Sequence, residues 1–166
     1  MFIRTKKIKK FEYAYKVKNK WTKNGTRQKI VGYLGRIHKP EKTRDVSFDD
    51  FTKKKNISKT SFREIIDYLI KWELHKHGFN ENNGKFKQKK LVLDVKDGIT
   101  SRKRDVVLGI NEGFLCSETI KKILNFKPED DEEDTGFKLA NVFVDAGVKI
   151  PNNVFIILFE RKFKSF

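Results

Sequence analysis

The chain has 166 residues, room for one domain or a small arm with a compact body, and 38 Lys and Arg against 22 Asp and Glu give it a formal net charge of +16. Hydrophobic residues are only 37%, yet 15 Phe, 4 Tyr and 2 Trp supply enough apolar area for a core, so a wholly disordered chain is excluded. No apolar run reaches the ~18 residues of a membrane span, Met1–Arg4 opens no secretory signal, and the single Cys116 excludes an internal disulfide framework and a cysteine-based zinc site, a profile that points to the cytoplasm.

The charge is unevenly placed. Residues 1–42 carry 14 Lys and Arg against 2 Glu, a net +12, whereas residues 105–166 carry 8 against 11, a net −3. A compositional bias toward lysine would spread over the whole chain and does not explain an acidic second half. The asymmetry points to a polyanionic partner.

Residues 1–42 form a basic arm, and residues 2–37 within it read as a β-meander. Phe2–Ile8 is a first strand. Phe11, Tyr13, Tyr15 and Val17 alternate with Glu12, Ala14, Lys16 and Lys18, the period of a half-buried strand. That alternation assigns Phe11 and Tyr13 to the core side. Asn24-Gly25 between two β-rich runs is a strong hairpin signal, expected to place both residues at positive φ. Gly32 and Gly35 mark a bend or a close backbone approach at the end of the third strand.

Residues 43–59 are a connector with the run Lys53-Lys54-Lys55 and one helical turn near Ser47–Phe51. The body spans 60–166. Ser61-Phe62-Arg63-Glu64 is a capping box, and Phe62, Ile65, Ile66, Leu69 and Trp72 repeat at helical spacing up to Gly78, which predicts a helix over 61–77. Asn80–Gly84 is a turn, 86–95 a strand, Asp97-Gly98 a turn and Val106–Ile110 a partner strand. Helices follow at Ser117–Phe126 and at 131–146, the latter burying Phe137, Ala140, Phe143 and Val144. Pro151 opens a last helix whose apolar run, Val154–Phe159, also fits a buried strand. The expected fold is α+β: an N-terminal three-stranded antiparallel β-meander followed by a small mixed domain of order α-β-β-α-α-α. Its expected core includes Trp72, Leu91, Leu93, Val107, Ile123, Phe143 and Phe155.

A lysine-rich ribbon offers two physical routes to nucleic acid. Cations neutralise phosphates and release counterions, and aromatic rings stack on unpaired bases. The phosphate candidates are Lys6, Lys7, Lys9, Lys10, Lys16, Lys18, Lys20, Lys23, Arg27, Lys29 and Arg36. The stacking candidates are Tyr13, Tyr15, Trp21 and Tyr33, with Trp21 beside the hairpin tip between Lys20 and Lys23.

The same stretch carries a family pattern: Phe2-Ile3-Arg4, then Tyr13-Ala14-Tyr15, then Asn24-Gly25, then Arg27-Gln28-Lys29, then Leu34-Gly35. It resembles the short basic β-rich segment that opens many prokaryotic insertion-sequence transposases of the DDE class. The resemblance covers about a quarter of the chain and implies a DNA-contacting arm. It carries over no catalytic acid and no transposase activity.

Catalytic constellations are sparse. Asp94, Asp97, Asp105 and Glu112, with Lys96 or Lys103 near, lie on or beside the predicted strands and would suit a metal-dependent nuclease. His75 and His77 are two apart on a helix and so diverge. Cys116 has no base partner, and "GINEGF" lacks the Lys-Ser/Thr of a nucleotide loop. No cofactor and no metal are expected. The leading expectation is a nucleic-acid-binding protein rather than an enzyme, with RNA and DNA both open. The alternatives are a metal-dependent nuclease, and a protein-interaction module that uses the acidic run Glu129–Asp134 and the C-terminal apolar helix.

Overall fold

The computed structural model describes residues 1–53, 55–96 and 98–163. Three strands open it: β1 (Phe2–Ile8), β2 (Phe11–Thr22) and β3 (Gly25–His38), antiparallel throughout. Lys9, at φ +55°, turns β1 into β2. The β2–β3 turn is Lys23-Asn24, and of the Asn24-Gly25 pair only Gly25 takes a positive φ (+100°). The hairpin therefore forms where the sequence places it, but the glycine follows the turn instead of sitting within it.

The register of β3 slips twice against β2. Val17 faces Ile30 while Lys16 faces Gly32, and Tyr15 faces Tyr33 while Ala14 faces Gly35. Val31 and Leu34 are the extra residues, and such bulges bend a strand and increase its twist. Gly35, at φ +135°, lies so close to a later strand that a Cβ there would meet the Asp105 carbonyl oxygen at 2.6 Å.

The connector holds helix α1 (Phe48–Phe51), capped by Ser47, and a short 3-10 turn at Ile57–Lys59. Lys54 lies outside the described residues. Helix α2 (Phe62–Lys76) starts on the Ser61/Glu64 capping box and buries Ile65, Ile66, Leu69, Ile70 and Leu74.

Six strands follow where the sequence suggested two: β4 (Asn80–Asn82), β5 (Lys85–Gln88), β6 (Leu91–Val95), β7 (Ile99–Ser101), β8 (Arg104–Ile110) and β9 (Gly113–Leu115). The single strand read over 86–95 is a hairpin. Its turn contains Lys89 at φ +51°. The β7–β8 and β8–β9 turns likewise use left-handed Arg102-Lys103 and Asn111-Glu112. Two-residue hairpin turns require such backbone, usually supplied by Gly or Asn, and lysine and arginine give no sequence signal for it. Gly98 forms part of the β6–β7 connection, and Asp97 lies outside the described residues.

The sheet order is β1-β2-β3-β8-β7-β6-β5-β4, with β9 also on β8. β3 pairs with β8 in parallel through Arg36↔Val106, Ile37↔Val107 and His38↔Leu108. The meander is thus hydrogen-bonded into the body.

Helices α3 (Ser117–Leu124), α4 (Glu132–Ala146) and α5 (Asn152–Phe163) complete the chain. Trp72, Leu93, Val107, Ile123 and Phe143 are in the core, and Leu91 and Phe155 pack against it half-buried. In α4 the inward stripe is Thr135, Leu139, Phe143 and Ala146. Phe137 and Val144, expected inside, are 70% and 62% exposed. At the end of the helix Gly147, its left-handed cap, and Gly113 of β9 approach each other backbone to backbone. The apolar run at Val154–Phe159 is helical and fully buries only Val154 and Leu158. No helix among the described residues is long and apolar enough to cross a membrane.

Candidate nucleic-acid interface

Residues directly opposite across an antiparallel pair share a face, and alternate residues of a strand do too. The meander therefore has two faces. The inner face carries Ala14, which joins the hydrophobic core, and Lys16, which pairs with Glu118 at the start of α3. The outer face carries Phe11, Tyr13, Tyr15, Val17, Asn19 and Trp21 of β2, of which Val17 is itself buried, at 2% exposed.

Phe11 and Tyr13, expected on the core side, are only half-buried, and Ala14, between Tyr13 and Tyr15, is fully buried in their place. Ala14 lies opposite Gly35, whose backbone comes close to Asp105 of β8. Lys16, expected to contact phosphate, is held instead by a carboxylate of the body.

Beyond Val17 and Ile30 the hairpin runs on as a two-stranded ribbon, nearly all of it exposed. Lys18 faces Lys29 and, two residues further, Lys20 faces Arg27. These four cations share the face that, nearer the root, belongs to Ala14 and Lys16. Among the described residues none of the four meets a carboxylate within salt-bridge distance. Lys23 stands in the turn, and Trp21, on the other face opposite Thr26, is 82% exposed.

The remaining candidates lie elsewhere. Lys9 and Lys10 are in the β1–β2 turn, at the far end of β2, roughly 35 Å away at ~3.4 Å per residue. Lys10 approaches the Phe11 ring (5.4 Å to its centroid), and the Arg36 guanidinium lies over the same ring at 3.5 Å. Lys6 shares the outer face with Tyr13, while Lys7 lies opposite Glu12 on the inner one. Glu12 itself pairs with Lys39.

The outer face gathers a tyrosine cluster. Tyr33 has its ring centroid 6.3 Å from that of Tyr13 and 5.5 Å from that of Tyr15, and it is 57% exposed. Burial and the two neighbouring phenols raise the Tyr33 pKa above the usual tyrosine value, so its hydroxyl is neutral throughout the ordinary pH range. Arg4, not singled out from the sequence, donates to Gln28 across β2. Its signal was available in the strand alternation of β1, which sets Arg4 opposite Tyr15.

Among the described residues Asp94, Asp105 and Glu112 do not form a metal-binding group. Asp105 accepts a hydrogen bond from Ser117 (2.9 Å) and Asp97 lies outside the described residues. Among the described residues no three His, Cys, Asp or Glu converge on a point where a metal ion would sit. His77 is buried against α2, with Nδ1 2.8 Å from the Glu73 carbonyl oxygen. Cys116 is buried beside Thr119, the setting of an inert thiol.

Comparisons with protein-family models, curated proteins and solved structures give no match to this chain.

Proposed function

We propose that this protein binds nucleic acid, RNA or DNA, in the cytoplasm, by laying the cationic face of the β2–β3 ribbon against phosphates. One observation carries the reading: two successive like-charge pairs, Lys18–Lys29 and Lys20–Arg27, face each other on an exposed ribbon, with no carboxylate within salt-bridge distance among the described residues. Like charges directly opposite in a hairpin are destabilising. A polyanion laid over that face reverses the sign of the interaction. A two-stranded ribbon has the width to enter a DNA major groove, and its charge serves equally along an RNA backbone. The transposase-like pattern of residues 1–36 belongs to the same reading, as do the stacking candidates on the opposite face.

Four engaged phosphates predict a log–log salt slope of about −3 to −4. The decisive variant is the double charge reversal Lys18→Glu/Lys20→Glu. It turns both like pairs into opposite pairs, so the ribbon folds at least as well as before while the net charge of the four paired positions falls to zero. Loss of most affinity for a labelled oligonucleotide, with the thermal midpoint unchanged or raised, is the expected result. Undiminished affinity in the folded variant removes the ribbon from the mechanism.

A second reading, a protein-interaction module, has its own observation: Phe137, Val144 and Ile156 are exposed on α4 and α5. It requires a stoichiometric protein partner that survives nuclease and high salt and is lost in Phe137→Asp.

A further inference from the structure

The outer face of the meander is chemically unlike the ribbon's cationic face, and the two lie back to back. Tyr13, Tyr15 and Tyr33 cluster there, with Arg4 opposite Tyr15, and with Lys6 and Arg36 on either side of Tyr13. The tyrosine ring planes are tilted by 42° and 58° to one another. Tyr33 is the most open of the three at 57% exposed, with Tyr13 and Tyr15 half-buried beside it. Arg36 lies over Phe11, which pre-positions its guanidinium and leaves N–H edges as donors. A patch serving only as a second core would not ring its aromatics with cations that the described carboxylates leave unpaired.

We propose that this outer face holds a single-stranded nucleic acid, its unpaired bases stacking on Tyr13, Tyr15 and Tyr33 while Arg4, Lys6 and Arg36 meet its phosphates. The inference rests on the ribbon reading and narrows it. Bases inside a duplex are stacked on each other and hide the π-faces that phenol rings need. Unpaired bases expose them, and every base has one, so recognition is sequence-tolerant. Trp21 continues the same face six residues along β2, about 20 Å from Tyr15, and extends the track toward the tip. The neutral Tyr33 hydroxyl adds a donor without a repelling charge.

The test separates bases from phosphates. Three fluorescent probes of about 16 nucleotides are compared at one salt concentration: a single strand, an abasic strand of the same length, and a blunt duplex. The wild-type chain is expected to bind the base-bearing strand at least about tenfold more tightly than the abasic one. Tyr15→Leu/Tyr33→Leu should remove that preference and keep the abasic affinity, while Tyr15→Phe/Tyr33→Phe, which keeps both rings, should retain it. Equal affinity for the base-bearing and abasic strands overturns the proposal and leaves the ribbon reading standing. So does tighter binding of the duplex, or equal loss on both single strands in the Leu variant. Absence of binding to all three probes overturns both.

Discussion

Glu73 takes a carboxylate into the interior and leaves it fully bonded. Its Oε1 accepts from Lys76 Nζ (2.9 Å) and from the Lys149 backbone N–H (2.9 Å), and its Oε2 from Asn111 Nδ2 (2.8 Å). One side chain thus ties α2 to the β8–β9 turn and to the loop between α4 and α5. Lys76 is also buried, over the Trp72 ring at 3.4 Å, and burial holds its pKa below the usual lysine value. Removing the carboxylate strands that ammonium without its partner. Glu73→Ala should therefore cost about 3 to 5 kcal/mol in urea unfolding, and Lys76→Met, which keeps the contact with Trp72, clearly less. Equal costs would show that the Lys76–Glu73 pair, and not the bonds from Glu73 to Asn111 and Lys149, carries the stability. In the sequence Glu73 is an unremarked acid between Trp72 and Leu74, because its partners arrive from 38 and 76 residues away.

The ribbon is an element whose own electrostatics oppose it. Its backbone ladder and turn hold it together while Lys18–Lys29 and Lys20–Arg27 push it apart. Exposed charges are screened by salt, with a Debye length of about 10 Å at 0.1 M. Amide protection at Lys18–Thr22 in the free protein is therefore expected to rise with added salt, and protection that falls or stays flat would mean the pairs do not strain the hairpin. Elements with local signals were legible beforehand. The start of α2 was written in Ser61 and Glu64, and the β2–β3 hairpin in Asn24-Gly25. The hairpins turning at Lys89 and Arg102-Lys103 were not, because tertiary pairing forces left-handed backbone on residues that do not advertise it. Lys18 and Lys20 were legible as cations. Their pairing with Lys29 and Arg27 required the register.

At the scale of the whole molecule, the basic arm and the body meet in the parallel seam of β3 on β8. Gly35 sets its spacing, with the Asp105 carbonyl where a Cβ would go. Gly35→Val should open the seam. The expected signs are a thermal midpoint lowered by several degrees, with a loss of about 2 kcal/mol or more, and weakened amide protection at Val106–Leu108. A wild-type midpoint would show that the meander docks by other contacts. Composition and local pattern determined by themselves that the chain is α+β, that it opens with a basic meander, and where its capped helices begin. Those properties depend on turn chemistry, capping and periodicity within a few residues. Which face of the meander turns inward was decided only in three dimensions. The alternation of Phe11, Tyr13 and Tyr15 with Glu12, Ala14 and Lys16 is the same pattern whichever side is buried. Only the pairing of β3 with β8 brings Ala14, opposite Gly35, into the core and leaves Tyr33 exposed.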